Sequence, residues 1–168
     1  MRVSRVFLSG IVGCIVAVAI MVVAARLSGS AADICTLTGA VVIGRTDALG
    51  WFAGFIVQVV IAVIAACIYA AIFEWVTRRA GALIGVAIAV PHVVIAGLSI
   101  GFLPAAPLIA HGIAPASAFL EYDGGWIVVA FVCAHLVFGF LVGSLYGRTR
   151  HAVPANRREW RNVASDLR

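Results

Sequence analysis

Apolar positions in this chain come in four long blocks, at about residues 6–25, 49–73, 80–103 and 125–147, and none of the blocks contains Asp, Glu, Lys or Arg. Coiled at 1.5 Å per residue, each block reaches roughly 30–37 Å, enough for the ~30 Å hydrocarbon core of a bilayer. The pattern predicts four membrane-spanning helices joined by connections too short to fold alone.

Within each block the small and polar residues fall at helical spacing and so mark one face. In the last block His135 is followed by Gly139, Gly143 and Gly147, with Tyr146 near the same face. The second block places Trp51, Gly54, Gln58, Ala62, Ala65 and Tyr69 on a common face. The third opens on Gly81 and Gly85, carries His92 in line with Gly85, Ala89, Ala96 and Ser99, and contains Pro91, which predicts a kink. In hydrocarbon, helices associate where small residues let backbones approach and polar groups find partners. The Gly139–Gly143 face is therefore expected to meet another helix, and Gln58 to find a hydrogen-bond partner.

The connections add detail. Asp47 is placed to cap the second helix. The apolar piece Leu37–Gly44 is too short to span and predicts a surface or re-entrant segment. Glu74 and Arg78 fit an i, i+4 ion pair beside Trp75, and Trp51, Trp75, Trp126 and Tyr146 sit where interfacial aromatic belts belong. The second long connection holds His111, Glu121 and Asp123 without any metal-ligand spacing, which predicts a solvated loop.

Composition agrees with the pattern: 64% of the 168 residues are apolar and 11% charged, against about 25% charged in soluble domains. The expected fold is an all-α membrane protein, an antiparallel bundle of four transmembrane helices over residues 1–148 with a basic tail at 149–168. Segments two and four both begin Gly-Trp and carry a polar residue eleven positions before a tyrosine (Gln58 to Tyr69, His135 to Tyr146), which suggests a duplicated helix hairpin.

Charge sets the orientation. Ten arginines (Arg2, Arg5, Arg78, Arg79, Arg148, Arg150, Arg157, Arg158, Arg161 and Arg168) fall on one side of the four spans, and only Arg26 and Arg45 on the other. The positive-inside rule puts both termini in the cytoplasm, hence a cell (inner) membrane location. The basic balance points to membrane lipid and not to nucleic acid. Small residues at Ser28–Ala32 imitate a signal-peptide cleavage site, but the preceding run is too long and Arg26 interrupts the approach, so the first helix is expected to be retained. Cys14, Cys67 and Cys133 lie inside spans and Cys35 has no loop partner, so no disulfide framework is visible.

Three stretches stand out together: Gly10-x-x-Gly13 with Met21, Gly50-Trp51 with Tyr69-x-x-x-Phe73-Glu74, and His135-Leu-Val-Phe-Gly139 running to Leu145-Tyr146-Gly147. In these stretches the chain resembles a group of small prokaryotic four-helix membrane proteins of unknown function. The resemblance implies the four-helix fold and no activity. Members of that group often carry a histidine in the second helix, where this chain has Gln58.

Candidate chemistry narrows to His92 and His135. Counted from the inner ends of their helices, both lie roughly 17–18 Å deep, at the same level near the midplane. Three readings follow. In the first, both histidines are neutral and hydrogen-bonded inside a non-catalytic scaffold or partner-binding subunit without a cofactor, its partner being a second copy or another membrane protein. In the second, Gln58, His92 and His135 line a proton or small-solute pathway, while Tyr69 and Tyr146 are further polar candidates of the spans. In the third, His92 and His135 are the axial ligands of a b-type haem. The spans hold no carboxylate pair and no nucleophile–base motif, so no catalytic residue is assigned.

Overall fold

A computed structural model describes residues 2–30, 33–147 and 149. The tail beyond them, with Arg148 and the arginines of 150–168, lies outside the described residues. The described chain is helical, without strands: α1 (Val3–Ser28), α2 (Ile34–Ile43), α3 (Ala48–Ala71), α4 (Ala82–Ile100), α5 (Ala105–Ala110) and α6 (Gly125–Tyr146). α3 continues through a π-helical turn, Ile72–Thr77, so that α1, α3 with its extension, α4 and α6 are the four helices long and apolar enough to cross a bilayer. This is the fold of an all-α membrane protein. Their outward faces are apolar, with Leu27 and Leu83 more than four-fifths exposed, as expected of surfaces whose solvent is lipid.

The helices start and stop where backbone groups find partners. Asp47 accepts a hydrogen bond from the Gly50 N–H at the start of α3, as its position predicts. Asp33 does the same for α2, accepting from the Cys35 and Thr36 N–H groups. Gly29 and Gly44 end α1 and α2 in the left-handed conformation that costs glycine nothing. Pro91 is accommodated within α4, which continues helically to Ile100.

Packing follows the small residues. Side chains added at Gly85, Gly139 and Gly143 would run into the backbones of Gly139, Gly85 and Gly81 respectively. This fixes α4 and α6 as antiparallel neighbours along the face that the glycine spacing marks. α6 also packs on α1, where Phe138 lies over Gly13, and α1 packs on α3 through Gly10 against Val63 and Ala66. The resulting order across the molecule is α3, α1, α6, α4. Although consecutive in the chain, α3 and α4 do not pack along their length. The bundle is an open arc.

The short helix α2 lies against the first half of α3, with Gly39 on Gly50 and the Cys35 carbonyl on Gly54. At ten residues it is too short to span a bilayer, as the apolar piece at Leu37–Gly44 predicts. The second long connection departs from the solvated loop read in the sequence. Leu108 and Leu120 are buried, and the Phe119 ring covers Gly97. His111 bonds through Nε2 to the Gly44 carbonyl at 3.0 Å, tying α5 to the end of α2.

At the opposite end the structure corrects two expectations. Tyr146 is fully buried, so it is not a belt residue: its hydroxyl donates to Glu74 Oε1 at 2.6 Å. Glu74 itself is 2% exposed on the π-helical turn, where the register shift turns it inward and away from a surface ion pair with Arg78. Arg5 Nη1 donates to the Tyr146 carbonyl at 3.2 Å, and the Arg2 N–H to the Tyr146 hydroxyl at 3.3 Å. Thr149 Oγ1 closes the same end by donating to the Arg78 carbonyl at 2.9 Å. Trp75 and Trp126 are exposed as belt residues should be, whereas Trp51 is partly buried and donates to Asp33 Oδ2 at 3.2 Å.

Candidate functional site

The gap between α3 and α4 leads into a cavity of about 350 Å³. Its back wall is α1 and α6, with Cys14, Val18 and Met21 from one and Phe131, Ala134 and Phe138 from the other. α3 and α4 form its sides through Gln58, Ile61 and Ala65 facing Ala96, Ser99 and Ile100, and Thr38 and Val42 of α2 reach in from above. Ile61 and Ser99 are exposed on the outer surface as well, so the cavity opens sideways through the arc.

His92 and His135 both line this cavity. Their rings meet edge to face, with centroids 5.1 Å apart and planes at 79°. The equal depth counted from the sequence brings them into contact. Aromatic rings hold them there: Phe131 lies 4.2 Å from the His135 centroid, and Phe138 lies 5.9 Å from that of His92.

Hydrogen bonds fix the tautomers. His135 Nδ1 is 2.8 Å from the Phe131 carbonyl oxygen, which only accepts, so Nδ1 carries the proton and Nε2 has a lone pair. His92 Nδ1 is 3.1 Å from the hydroxyl of Tyr69, a residue only 2% exposed. That nitrogen is the phenol's one acceptor among the described residues, so Tyr69 donates, and the His92 proton resides on Nε2. Neither Nε2 has a protein partner among the described residues, and no buried side-chain nitrogen or oxygen there is unsatisfied. Both Nε2 atoms are therefore accessible, on side chains that line the cavity, one as donor and one as acceptor.

Gln58 lies further along the same cavity. Its Nε2 donates to Thr38 Oγ1 at 2.9 Å, and Thr38 in turn donates to the Ile34 carbonyl at 2.7 Å. Of the candidate residues, His92, His135 and Tyr69 form one cluster and Gln58 shares their cavity. Tyr146 is separate, paired with Glu74. Phe73, fully buried, stands between the two tyrosines, with its ring 6.2 Å from that of Tyr69 and 5.5 Å from that of Tyr146. Gly81, Gly85, Gly139 and Gly143 build the α4–α6 contact, while Gly147 lies beyond it against Arg5. Thr38 and Phe131 escaped the sequence reading, and Phe138 entered it only within the His135–Gly139 motif. Thr38 had a signal, a hydroxyl in an apolar segment just after a capping aspartate.

The pair does not fit bis-histidine haem ligation, which needs two imidazoles facing one iron from opposite sides of a flat macrocycle. Here the rings touch each other. Gln58, His92 and His135, read from the sequence as lining a proton or small-solute path, all border this one cavity.

Fold and site define an all-α membrane protein with an internal, sideways-opening cavity. No protein-family model, curated protein or solved structure matches the chain.

Proposed function

We propose that this chain is a non-catalytic, multi-pass protein of the cell (inner) membrane that takes up a lipid-soluble molecule sideways from the bilayer. The observation that carries this reading is the cavity between α3 and α4, with its mainly apolar lining and its few polar groups at fixed places. Ligand sites have that character, and volumes from about 300 Å³ upward are usual for them. An opening between two apolar helix faces gives access to lipid and not to water. The partner of the scaffold or binding subunit read from the sequence is then a small molecule held within the bundle.

Orientation belongs to the same proposal. Arg2, Arg5, Arg78 and Arg79 lie at one end of the bundle, together with the end of α6. This supports placing both termini in the cytoplasm, with the basic tail near anionic lipid. The kinship with small prokaryotic four-helix membrane proteins is likewise proposed, and it brings no activity with it.

The test is to fill the cavity. Wild type and Ala96→Phe are purified from the same membranes in a mild detergent, extracted with organic solvent, and the extracts compared by mass spectrometry. The expected result is an apolar species enriched at least about tenfold in the wild-type extract. Identical extracts from two equally folded proteins would contradict the reading.

A further inference from the structure

The two histidines at one end of the cavity specify what sort of head group it accepts, an inference that rests on the lipid-uptake reading above. His92 Nε2 offers a proton and His135 Nε2 a lone pair, on rings whose centroids are 5.1 Å apart. A charged imidazolium beside a second imidazole in hydrocarbon is costly, so the pair acts as one neutral donor and one neutral acceptor.

A hydroxyl group satisfies both at once, accepting from His92 and donating to His135. A ketone or ether oxygen satisfies His92 and leaves its lone pairs facing that of His135. A carboxylate or phosphate would meet the same lone pair and find no countercharge, since none of the residues lining the cavity is Arg, Lys, Asp or Glu. Beyond the histidines the cavity runs on for roughly 12 Å, from His92 to Ile100 along α4, with a lining that is apolar apart from Thr38, Gln58 and Ser99. That part suits a hydrocarbon chain or a flat alicyclic body, which can leave through the gap beside Ile61 and Ser99.

We infer that the cavity binds an uncharged, hydroxyl-bearing apolar molecule, with its hydroxyl bridging His92 Nε2 and His135 Nε2. Phospholipids and free fatty acids are thereby disfavoured as occupants. The Tyr69 hydroxyl is a positioning group, which fixes the tautomer of His92 without touching the ligand.

The experiment uses the full chain in liposomes and a decan-1-ol probe carrying a mid-chain diazirine. Labelled residues are mapped by mass spectrometry, with unlabelled decan-1-ol or decyl methyl ether as competitor. The expected result is labelling of cavity residues such as Ile61, Ser99 or Phe131. The ether should need about tenfold more than the alcohol to suppress it, the equivalent of one lost hydrogen bond. His135→Leu should abolish that difference while labelling persists. Equal competition by alcohol and ether in the wild type would overturn the hydroxyl inference and leave the cavity reading standing. Absence of label from every lining residue would overturn both. The alcohol-against-ether comparison needs no variant, so a misfolded His135→Leu protein does not remove the test.

Discussion

His92 on α4 and His135 on α6 touch edge to face and hold opposite tautomers, one imposed by the Tyr69 hydroxyl and the other by the Phe131 carbonyl. Neither imposing group could be paired with its histidine from the sequence. Tyr69 lies on α3, which does not otherwise pack along α4, and the Phe131 carbonyl, one turn before His135 in α6, accepts from its Nδ1. A pair of histidines at one depth is common chemistry. A pair with assigned donor and acceptor, ending an open cavity, is a site.

The α4–α6 seam sets the first expectation. Gly143→Leu forces a side chain into the Gly81 backbone, where overpacking costs about 1–3 kcal/mol or more. Phe140→Ala, on the outward face of the same helix, should be mild. Thermal unfolding in detergent compares them, and equal tolerance would mean that the seam is not tightly packed.

Tyr146→Phe removes the hydroxyl that donates to Glu74 Oε1 in a buried setting. A loss of about 1–3 kcal/mol is expected. Hydrogen exchange should rise first at the start of α1 and in the π-helical turn, the two segments that Tyr146 ties to α6.

At the start of α3, the Arg45 guanidinium and the Gly50 N–H hold the Asp47 carboxyl well below the usual carboxylate range. A carboxyl lowered in the folded state contributes stability above its unfolded pKa of about 3.9, and that contribution fades as pH falls through the folded value. Stability attributable to Asp47 should thus be flat from pH 5 to 8 and shrink below about pH 4. Asp47→Asn should remove this acid dependence in melting curves recorded across that range.

Topology is checked with single cysteines in an otherwise cysteine-free chain, one in the tail at Ala155 and one at Ala114. An impermeant maleimide applied to intact cells should label the second and not the first. The reverse pattern would invert the orientation.

Much of the fold is legible because hydrocarbon imposes so strict a rule. A span needs an unbroken apolar run, and so the four long helices lie close to where the blocks do. Counting 1.5 Å per residue also levelled His92 with His135. What such counting cannot supply is which face of a helix meets protein when every face is apolar. Tyr146, though near the glycine face, read as a belt residue because it ends its helix, and it is buried against Glu74. Neighbour order was equally hidden: nothing local tells α4 to pack on α6 and leave α3. The cavity follows from that order and from α2 folding back on α3, so its existence was not legible, although Gln58, His92 and His135 were.

The site stands on the two tautomers, and they can be read directly. Nitrogen-15 spectra of imidazole-labelled protein in lipid bilayers, assigned with His92→Gln and His135→Gln, separate protonated from bare ring nitrogens. At neutral pH His135 should show a protonated Nδ1 and a bare Nε2, and His92 the reverse. Tyr69→Phe should disturb His92 alone. Two histidines in the same tautomer, or either one as imidazolium, would contradict a donor–acceptor pair at the end of the cavity.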